Sequence, residues 1–317
     1  MKKTLLITSI LVAFLCFSCD DEPIDFDVEV TNPTDPTDPT DPTDPTDPTD
    51  PTDPTDPAST LSLYSYDVTS NLPIFGEIIT NTDFNVSGGV VISLDAEVII
   101  AGSSTPAFGV FTRDGNGKIV RLNATTNGTP SEDTTISYTG DNISEIVYED
   151  LEDPTENHIY NFTYSGTIVT RTTVGSDERI EYTFDSNSQL ISVEAFTGTM
   201  STQIETLTYT NGNLTSTTTT GTNEGGYTLS YDSFTNPSKA VFNDQFLFSI
   251  FNIDYEDEVA NTIATFHSTN NWAGVQDNGQ NVTFDLTYNA DNNITTRNGT
   301  FDLGDGFLFT LNETFQY

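Results

Sequence analysis

Cysteine, histidine and basic residues are all scarce in this 317-residue chain. It has two cysteines, two histidines, and nine lysines and arginines against 48 acidic residues, for a formal net charge of −39. Two cysteines cannot build the disulfide framework of a small secreted scaffold. The excess of acid excludes nucleic acid and anionic lipid surfaces as partners, because both are bound through basic patches.

The sequence motifs of the common enzyme classes are also missing. The chain has no Gly-x-Ser-x-Gly elbow, no His-Glu-x-x-His zinc motif and no phosphate-binding loop. His158 follows a turn and His267 ends an alternating segment, so both are interpreted as structural. Two carboxylates would suffice for glycoside hydrolysis, but acids are too numerous here to single out a pair. No catalytic residue is assigned.

The N-terminus carries the one long apolar run. Lys2 and Lys3 precede an uncharged stretch over residues 5–17, which is typical of a secretory signal peptide over residues 1–18. The run is too short to span a membrane, and no later stretch is long and apolar enough to do so as a helix.

The end of this run, Cys-Phe-Ser-Cys, resembles the lipobox of bacterial lipoproteins. The resemblance implies cleavage before Cys19 and acylation of that residue by palmitate-type chains; an ordinary signal peptide that ends in cysteine is the alternative. The acids at residues 20–22 resemble the export tag of surface lipoproteins in Bacteroidetes-type bacteria. They imply an outer-membrane lipoprotein that faces the cell exterior, the periplasmic side being the alternative.

Residues 34–57 are eight copies of Thr-Asp-Pro. Proline at every third position favours polyproline II, and the stretch offers no apolar side chain for a core. Residues 19–57 are therefore predicted to form a lipid anchor and a disordered, Pro-rich stalk. At about 3.1 Å per residue the repeat alone would reach roughly 75 Å.

Residues 58–317 are predicted to form one β-rich domain. They hold 34 of the acids and seven of the basic residues, a formal charge of −27, so cations are the natural counter-ligands. Strands ending at an aromatic residue recur, each followed by an Asp/Asn/Gly turn and an Ile or Leu, as in YTGDNI from Tyr138 and YTNGNL from Tyr209. These units predict an antiparallel up-and-down meander that curls or closes like a barrel to protect its edges.

Two parts of this domain are less regular. Residues 58–109 are interpreted as the first strands of the sheet or a small cap, and residues 110–317 as the repeated hairpins. Residues 243–255 are apolar on both faces, which fits a doubly buried strand or a short plug helix; the strand is preferred.

The tyrosine–turn–strand units resemble the YD-type repeats of secreted bacterial proteins. The segment YDSFTNPSKAVF…HSTNN…DLTYNADNNITTRNGTF is similar to a domain family of Bacteroidetes-type lipoproteins. The likeness covers roughly residues 111–317. It implies a porin-like, barrel-like β fold and carries over no catalytic residue, because the family has no assigned function.

A few residues stand out as candidate sites. Trp272, the only tryptophan, lies in a polar stretch predicted as a loop, where it could stack on a sugar or plug a barrel end. Asp254, Glu256, Asp257 and Glu258 supply the hard oxygen ligands that calcium prefers, although a solvated acidic loop explains them too. No other cofactor is expected. Thr134 follows an aspartate in a triplet that resembles an O-glycosylation acceptor. The recurrent tyrosines are expected to form a ladder at one rim.

These patterns favour non-catalytic binding or scaffolding at the cell surface, with a glycan or another surface protein as partner. The membrane is contacted through the lipid anchor alone. An Asp/Glu-dependent carbohydrate-active hydrolase is the alternative. A membrane-inserted β-barrel is the third hypothesis, because the C-terminal FLFTLNETFQY alternates and ends in tyrosine.

Overall fold

The computed structural model describes residues 60–72, 76–243, 246–277, 280–302 and 307–317. The predicted signal peptide, Cys19 and the stalk lie outside the described residues. Within these ranges no helix is both long and apolar enough to cross a bilayer.

The described residues form 19 strands, three α-helices and a 3-10 helix at Pro154–Glu156. The strands are β1 Leu63–Leu72, β2 Gly76–Ser87, β3 Val90–Ile100, β4 Ser103–Arg113, β5 Ile119–Thr126, β6 Thr129–Thr139, β7 Asn142–Asp150, β8 His158–Ser165, β9 Ile168–Thr173, β10 Glu178–Phe184, β11 Leu190–Thr197, β12 Met200–Thr210, β13 Asn213–Gly221, β14 Tyr227–Thr235, β15 Asn270–Asp277, β16 Gln280–Thr283, β17 Asp285–Tyr288, β18 Ile294–Asp302 and β19 Leu308–Gln316. The helices are α1 Pro237–Val241, α2 Phe246–Phe251 and α3 Ala260–Phe266.

All strands belong to one antiparallel sheet in which neighbours along the chain are neighbours in space. The first strand also pairs with the last, Leu63 opposite Gln316 through Asn71 opposite Leu308, so the sheet is nearly closed. Phe284 separates β16, which pairs with β15, from β17, which pairs with β18. The prediction of an all-β, up-and-down, barrel-like meander is confirmed.

One rim of the sheet carries the repeated turns and is called the tyrosine rim. It includes residues 114–118, 140–141, 166–167, 185–189, 211–212 and 289–293. A register shift immediately precedes the aromatic residue in several strands, for example at Tyr138 and Tyr209. Such β-bulges bend a strand and turn its side chains.

The tyrosine hydroxyls link successive hairpins along this rim. Tyr138 Oη donates to the Ile119 carbonyl at 2.7 Å, and Tyr164 Oη donates to the Ile143 carbonyl at 2.9 Å. Further along the sheet, Tyr231 Oη donates to Leu214 at 2.7 Å. The residues that open the return strands are thus both buried and hydrogen-bonded to the next unit. The tyrosines were expected to stack in a ladder at one rim; at this rim their hydroxyls instead link successive hairpins through hydrogen bonds to the backbone.

The described residues between β14 and β15, 236–243 and 246–269, form a compact insertion called the plug. It contains all three helices, and Val241, Ile250, Phe251 and Ile263 are each at most 1% exposed. The preferred strand over residues 243–255 was wrong, since α2 occupies part of it. A helix that a sheet encloses has apolar residues on all sides. In the sequence, such a helix looks the same as a strand with two apolar faces.

Polar groups of the sheet satisfy the ends of the plug helices. Arg171, which is 2% exposed, donates to the Phe251 carbonyl at 2.8 Å and also to the Ile253 carbonyl, at the end of α2. Glu205 accepts from the Val259 amide at 2.9 Å, where α3 begins without a side-chain cap of its own. The sheet thus supplies the partners that helix ends lack.

A buried ion pair between β18 and β19 stabilises another part of the interior. Arg297 and Glu313 are 1% and 0% exposed and form two charge-assisted hydrogen bonds, and Tyr64 Oη also donates to Glu313. Tyr64 packs edge-to-face on Phe242 and Phe266 of the plug. This part of the interior is therefore filled by side chains.

Candidate binding cavity at the tyrosine rim

A cavity of 1100 Å³ lies at the tyrosine rim. Its walls are the turns that join consecutive hairpins, and its floor is the plug. It is lined by Asn116, Gly117, Lys118, Tyr138, Asp141, Ile143, Gly166, Thr167, Val169, Phe184, Asp185, Asn187, Ser188, Gln189, Leu190, Tyr209, Gly212, Lys239, Asn243, Phe248, Ile263 and His267.

Two of the rim turns have the same hydrogen-bonded geometry. Asp114 Oδ1 accepts from the amides of Asn116 and Lys118, and Asp185 Oδ1 accepts from those of Asn187 and Gln189. An aspartate that bonds to its own turn in this way fixes the loop. The turns therefore place their amides and side chains reproducibly around the opening.

The cavity lining combines aromatic, amide and hydroxyl groups with both lysines of residues 60–317. Lys118 Nζ donates to the Gly140 carbonyl at 2.6 Å and to Asp141 at 2.9 Å, and lies 5.0 Å from the Tyr138 ring centroid. Lys239 Nζ donates to Thr269 Oγ1 at 2.9 Å, and burial lowers its pKa. The opening therefore holds cationic groups in an otherwise acidic domain.

His267 lies at the C-terminal end of α3 and not at the end of a strand as predicted. Burial, and next the positive charge of Lys239, lower the pKa of His267 to about 3. The imidazole is therefore neutral at physiological pH. It adds a polar, uncharged group to the cavity floor.

The carboxylates that line the cavity are ionised and already engaged. Turn amides, led by that of Gln189, lower the pKa of Asp185, and the hydrogen bond from Lys118 lowers that of Asp141. Burial raises the pKa of Glu132 to about 7 and that of Glu205 to about 8, but both lie outside the lining. A general acid needs a raised pKa beside the substrate, and neither lining carboxylate has one.

Trp272 lies in β15 and not in a loop as predicted. Its side chain is 5% exposed, its indole N–H donates to the Gly274 carbonyl at 2.9 Å, and Phe284 packs against it edge-to-face. This burial fits the packing alternative. Stacking of Trp272 on a sugar stays a prediction that the geometry does not support.

The acidic run proposed for calcium joins α2 to α3. Glu258 accepts from the Thr219 hydroxyl, and Glu256 accepts from the Thr222 hydroxyl at 3.0 Å. Burial, followed by Asp254 and Glu258, raises the pKa of Asp257 to about 6. Among the described residues, no group of three or more His, Cys, Asp or Glu side chains is arranged to hold a metal ion.

Thr134, the predicted O-glycosylation site, is 3% exposed within β6. Its hydroxyl is enclosed in the folded domain, so glycosylation there would have to precede folding. Cys19 lies outside the described residues, and its lipidation stays a prediction.

The sequence-based interpretation missed Lys118 and Lys239. They are widely separated in sequence, and the enclosure of the plug brings them to one cavity. The scarcity of lysine could have pointed to them, since residues 60–317 contain only these two.

No protein-family model matches the sequence. No curated protein matches it either. Among solved structures, the fold is similar to a porin-like protein from Bacteroides uniformis ATCC 8492, with 9% identity over 81% of this chain and 96% of the other and a TM-score of 0.45. A porin-like protein from Bacteroides vulgatus ATCC 8482 matches with 13% identity over 82% and 99% of the two chains and a TM-score of 0.23. Likenesses at this level identify neither a family nor a function.

Proposed function

We propose that this chain is a lipid-anchored protein of the outer membrane, displayed toward the cell exterior, that binds a glycan at the tyrosine rim without catalysing a reaction. The observation that carries the proposal is the cavity of 1100 Å³. Ligand sites for small molecules are typically about 300–1,000 Å³, so this opening is large enough for an oligosaccharide. Another surface protein is the alternative partner.

The lining suits a sugar chemically. The backbone amides of Asn116 and Asn187 are taken by Asp114 and Asp185, but the side-chain carboxamides of these asparagines and the hydroxyl of Thr167 offer donors and acceptors for ring hydroxyls. Tyr138, Phe184 and Tyr209 add the aromatic and apolar surface against which the C–H faces of a sugar can pack. The turns and the tyrosine hydrogen bonds already fix the positions of most of these groups, so binding costs little conformational entropy.

The charge state of the lining argues against the hydrolase alternative. Glycoside hydrolysis uses one protonated and one ionised carboxyl group that flank the bond to be cut. Asp141 and Asp185 both have lowered pKa values, so both are ionised at neutral pH. Binding without turnover is the function that these groups support.

The outward face of the sheet argues against the membrane-inserted alternative. On the β12–β13 pair the outward residues are polar, since Thr206 lies opposite Thr218 and Thr208 opposite Ser216. On β3 and β4 they are mixed, since Asp95 lies opposite the exposed Phe108. A lipid-facing surface would need an apolar band about 25 Å tall. The absence of a continuous apolar band on these described strands instead favours a domain that is exposed to water.

Obstruction of the opening tests the binding proposal. Thr167 is an exposed turn residue of the lining, and Thr199 is an exposed turn residue at the other rim. The full chain in detergent micelles is applied to a glycan array as wild type, Thr167→Trp and Thr199→Trp. We expect Thr167→Trp to lose most binding and Thr199→Trp to retain it. Absence of glycan binding by the wild type, or equal binding by both variants, would overturn the proposal.

A further inference from the structure

Ion pairs with carboxylates hold four of the lysine and arginine side chains of residues 60–317. Arg121 pairs with Asp133, Arg179 with Glu181, Arg297 with Glu313 and Lys118 with Asp141. Arg171 bonds to plug carbonyls, and Arg113 donates to the carbonyls of Gly117 and Val91. Among the described residues, Lys239 has no carboxylate within ion-pair distance.

Lys239 is held at the edge of the cavity by a short relay. Its Nζ donates to Thr269 Oγ1 at 2.9 Å, and Thr269 Oγ1 donates to the Gly212 carbonyl at 3.2 Å. Gly212 has a φ of +78°, and a Cβ there would lie 2.4 Å from Thr269 Oγ1. The glycine turn thus makes room for the threonine, and the threonine positions the ammonium group.

The ammonium of Lys239 keeps unused hydrogen-bonding capacity. An ammonium has three donor hydrogens, and one described acceptor takes one of them. Burial lowers the pKa of Lys239, so part of its hydration is lost without an anionic group in return. An anion brought into the cavity would supply that charge and would form a charge-assisted hydrogen bond, which is about twice as strong as a neutral one.

We propose that the glycan bound at the tyrosine rim carries a carboxylate, and that Lys239 is the residue that binds this carboxylate. The inference rests on the function proposed above and specifies its ligand as a uronic-acid type of saccharide. The hydroxyls of the same sugar would meet the side-chain amides and hydroxyls of the lining. A single carboxylate fits better than a polyanion, because the domain carries a formal charge of −27 and repels dense negative charge.

The test compares acidic saccharides with neutral copies of themselves. The full chain in detergent micelles is titrated with uronic-acid oligosaccharides and with their carboxyl-reduced counterparts, in which the carboxylate has become a hydroxymethyl group. We expect the acidic member of a pair to bind about tenfold or more tightly, as one charge-assisted hydrogen bond would give. Lys239→Gln should remove this difference, and Lys239→Arg should restore part of it.

Arg121→Gln is the matched control, since it removes one positive charge from a surface pair with Asp133 outside the cavity. It should leave the acidic preference unchanged, and thermal melting of each variant reports whether it folds. Equal affinity for acidic and reduced saccharides would overturn the inference and leave glycan binding intact. A preference that survives Lys239→Gln would overturn the role of Lys239. Failure of both saccharides to bind would overturn the inference together with the proposed function.

Discussion

Glu205 links the stability of this domain to pH, because its carboxyl group is buried where the plug meets the sheet. It is 1% exposed, it accepts from the Val259 amide, and its second oxygen has no hydrogen-bond partner among the described residues. Burial, and next the charge of Glu258, raise the pKa of Glu205 from its ordinary value of 4.5 to about 8. The folded chain therefore holds a proton there that the unfolded chain releases above pH 4.5.

The sign of the effect follows from this difference in bound protons. A raised folded-state pKa contributes stability that is fully present below pH 4.5 and is lost as the pH rises through about 8. Each unit of pKa displacement corresponds to about 1.4 kcal/mol, which sets a ceiling of roughly 5 kcal/mol. Part of the raised pKa comes from the nearby charge of Glu258, and the site can relax when Glu205 ionises. We therefore expect the free energy of unfolding to fall by about 3 kcal/mol between pH 5 and pH 9.

Glu205→Gln removes the titrating group and keeps an oxygen that can accept from the Val259 amide. The free energy of unfolding of the variant should therefore rise relative to wild type by roughly 3 kcal/mol as the pH goes from 5 to 9. Urea titrations followed by fluorescence measure it, since Trp272 is 5% exposed and becomes hydrated on unfolding. Glu132 and Asp257 also have raised pKa values, but they titrate in both proteins and cancel in the difference.

Glu224→Gln is the control, because Glu224 is an exposed loop residue. It should follow the wild type at every pH. A difference between Glu205→Gln and wild type that stays constant within about 0.5 kcal/mol across this range would refute the reasoning. So would an equal pH response of the exposed control.

Two further predictions concern the plug and the anchor. Arg171→Met should lower the free energy of unfolding by roughly 3 kcal/mol, because the carbonyls of Phe251 and Ile253 lose a buried charged donor. Urea titration measures this loss, and Arg121→Met, which removes a solvent-exposed pair, should lower the free energy of unfolding much less. Equal losses in the two variants would contradict the anchoring role. Protease added to intact cells should digest the domain while a periplasmic marker survives, and Cys19→Ala should release the protein from the membrane fraction; an untouched domain would exclude display on the exterior.

The fold could be predicted from the sequence because its signals are local. A strand that ends in an aromatic residue, a turn such as Asp114 to Lys118, and a buried Ile or Leu that opens the return strand are each visible within ten residues. Repetition of that unit determines an antiparallel meander, and the need to protect two long edges determines that it curls. None of these steps requires contacts between distant parts of the chain.

The cavity could not be predicted because its parts meet only through the plug. Lys118 belongs to a rim turn and Lys239 to α1, and no local pattern relates them. The helical pattern of residues 246–251 was hidden, since a short run that is almost entirely apolar has no polar face to reveal its period. Trp272 was placed in a loop because Asn270 and Asn271 precede it and resemble a turn. In the structure Asn270 bonds to Asn213 and Asn271 to Asp232 across the sheet.

The plug joins the stability of the domain to the shape of its cavity. Ile263 and His267 of the cavity floor lie on or directly after α3, and Glu205 bonds to the amide that begins the same helix. Ionisation of Glu205 would place an unpaired charge in this buried site beside Glu258, which destabilises the contact between the sheet and α3 even though the carboxylate still accepts from the Val259 amide. Ligand held between the rim turns and the plug would oppose that change, because whatever binds the folded state stabilises it. The affinity for a carboxyl-reduced saccharide, which does not depend on the charge of Lys239, should consequently fall between pH 7 and pH 9 in wild type and stay level in Glu205→Gln.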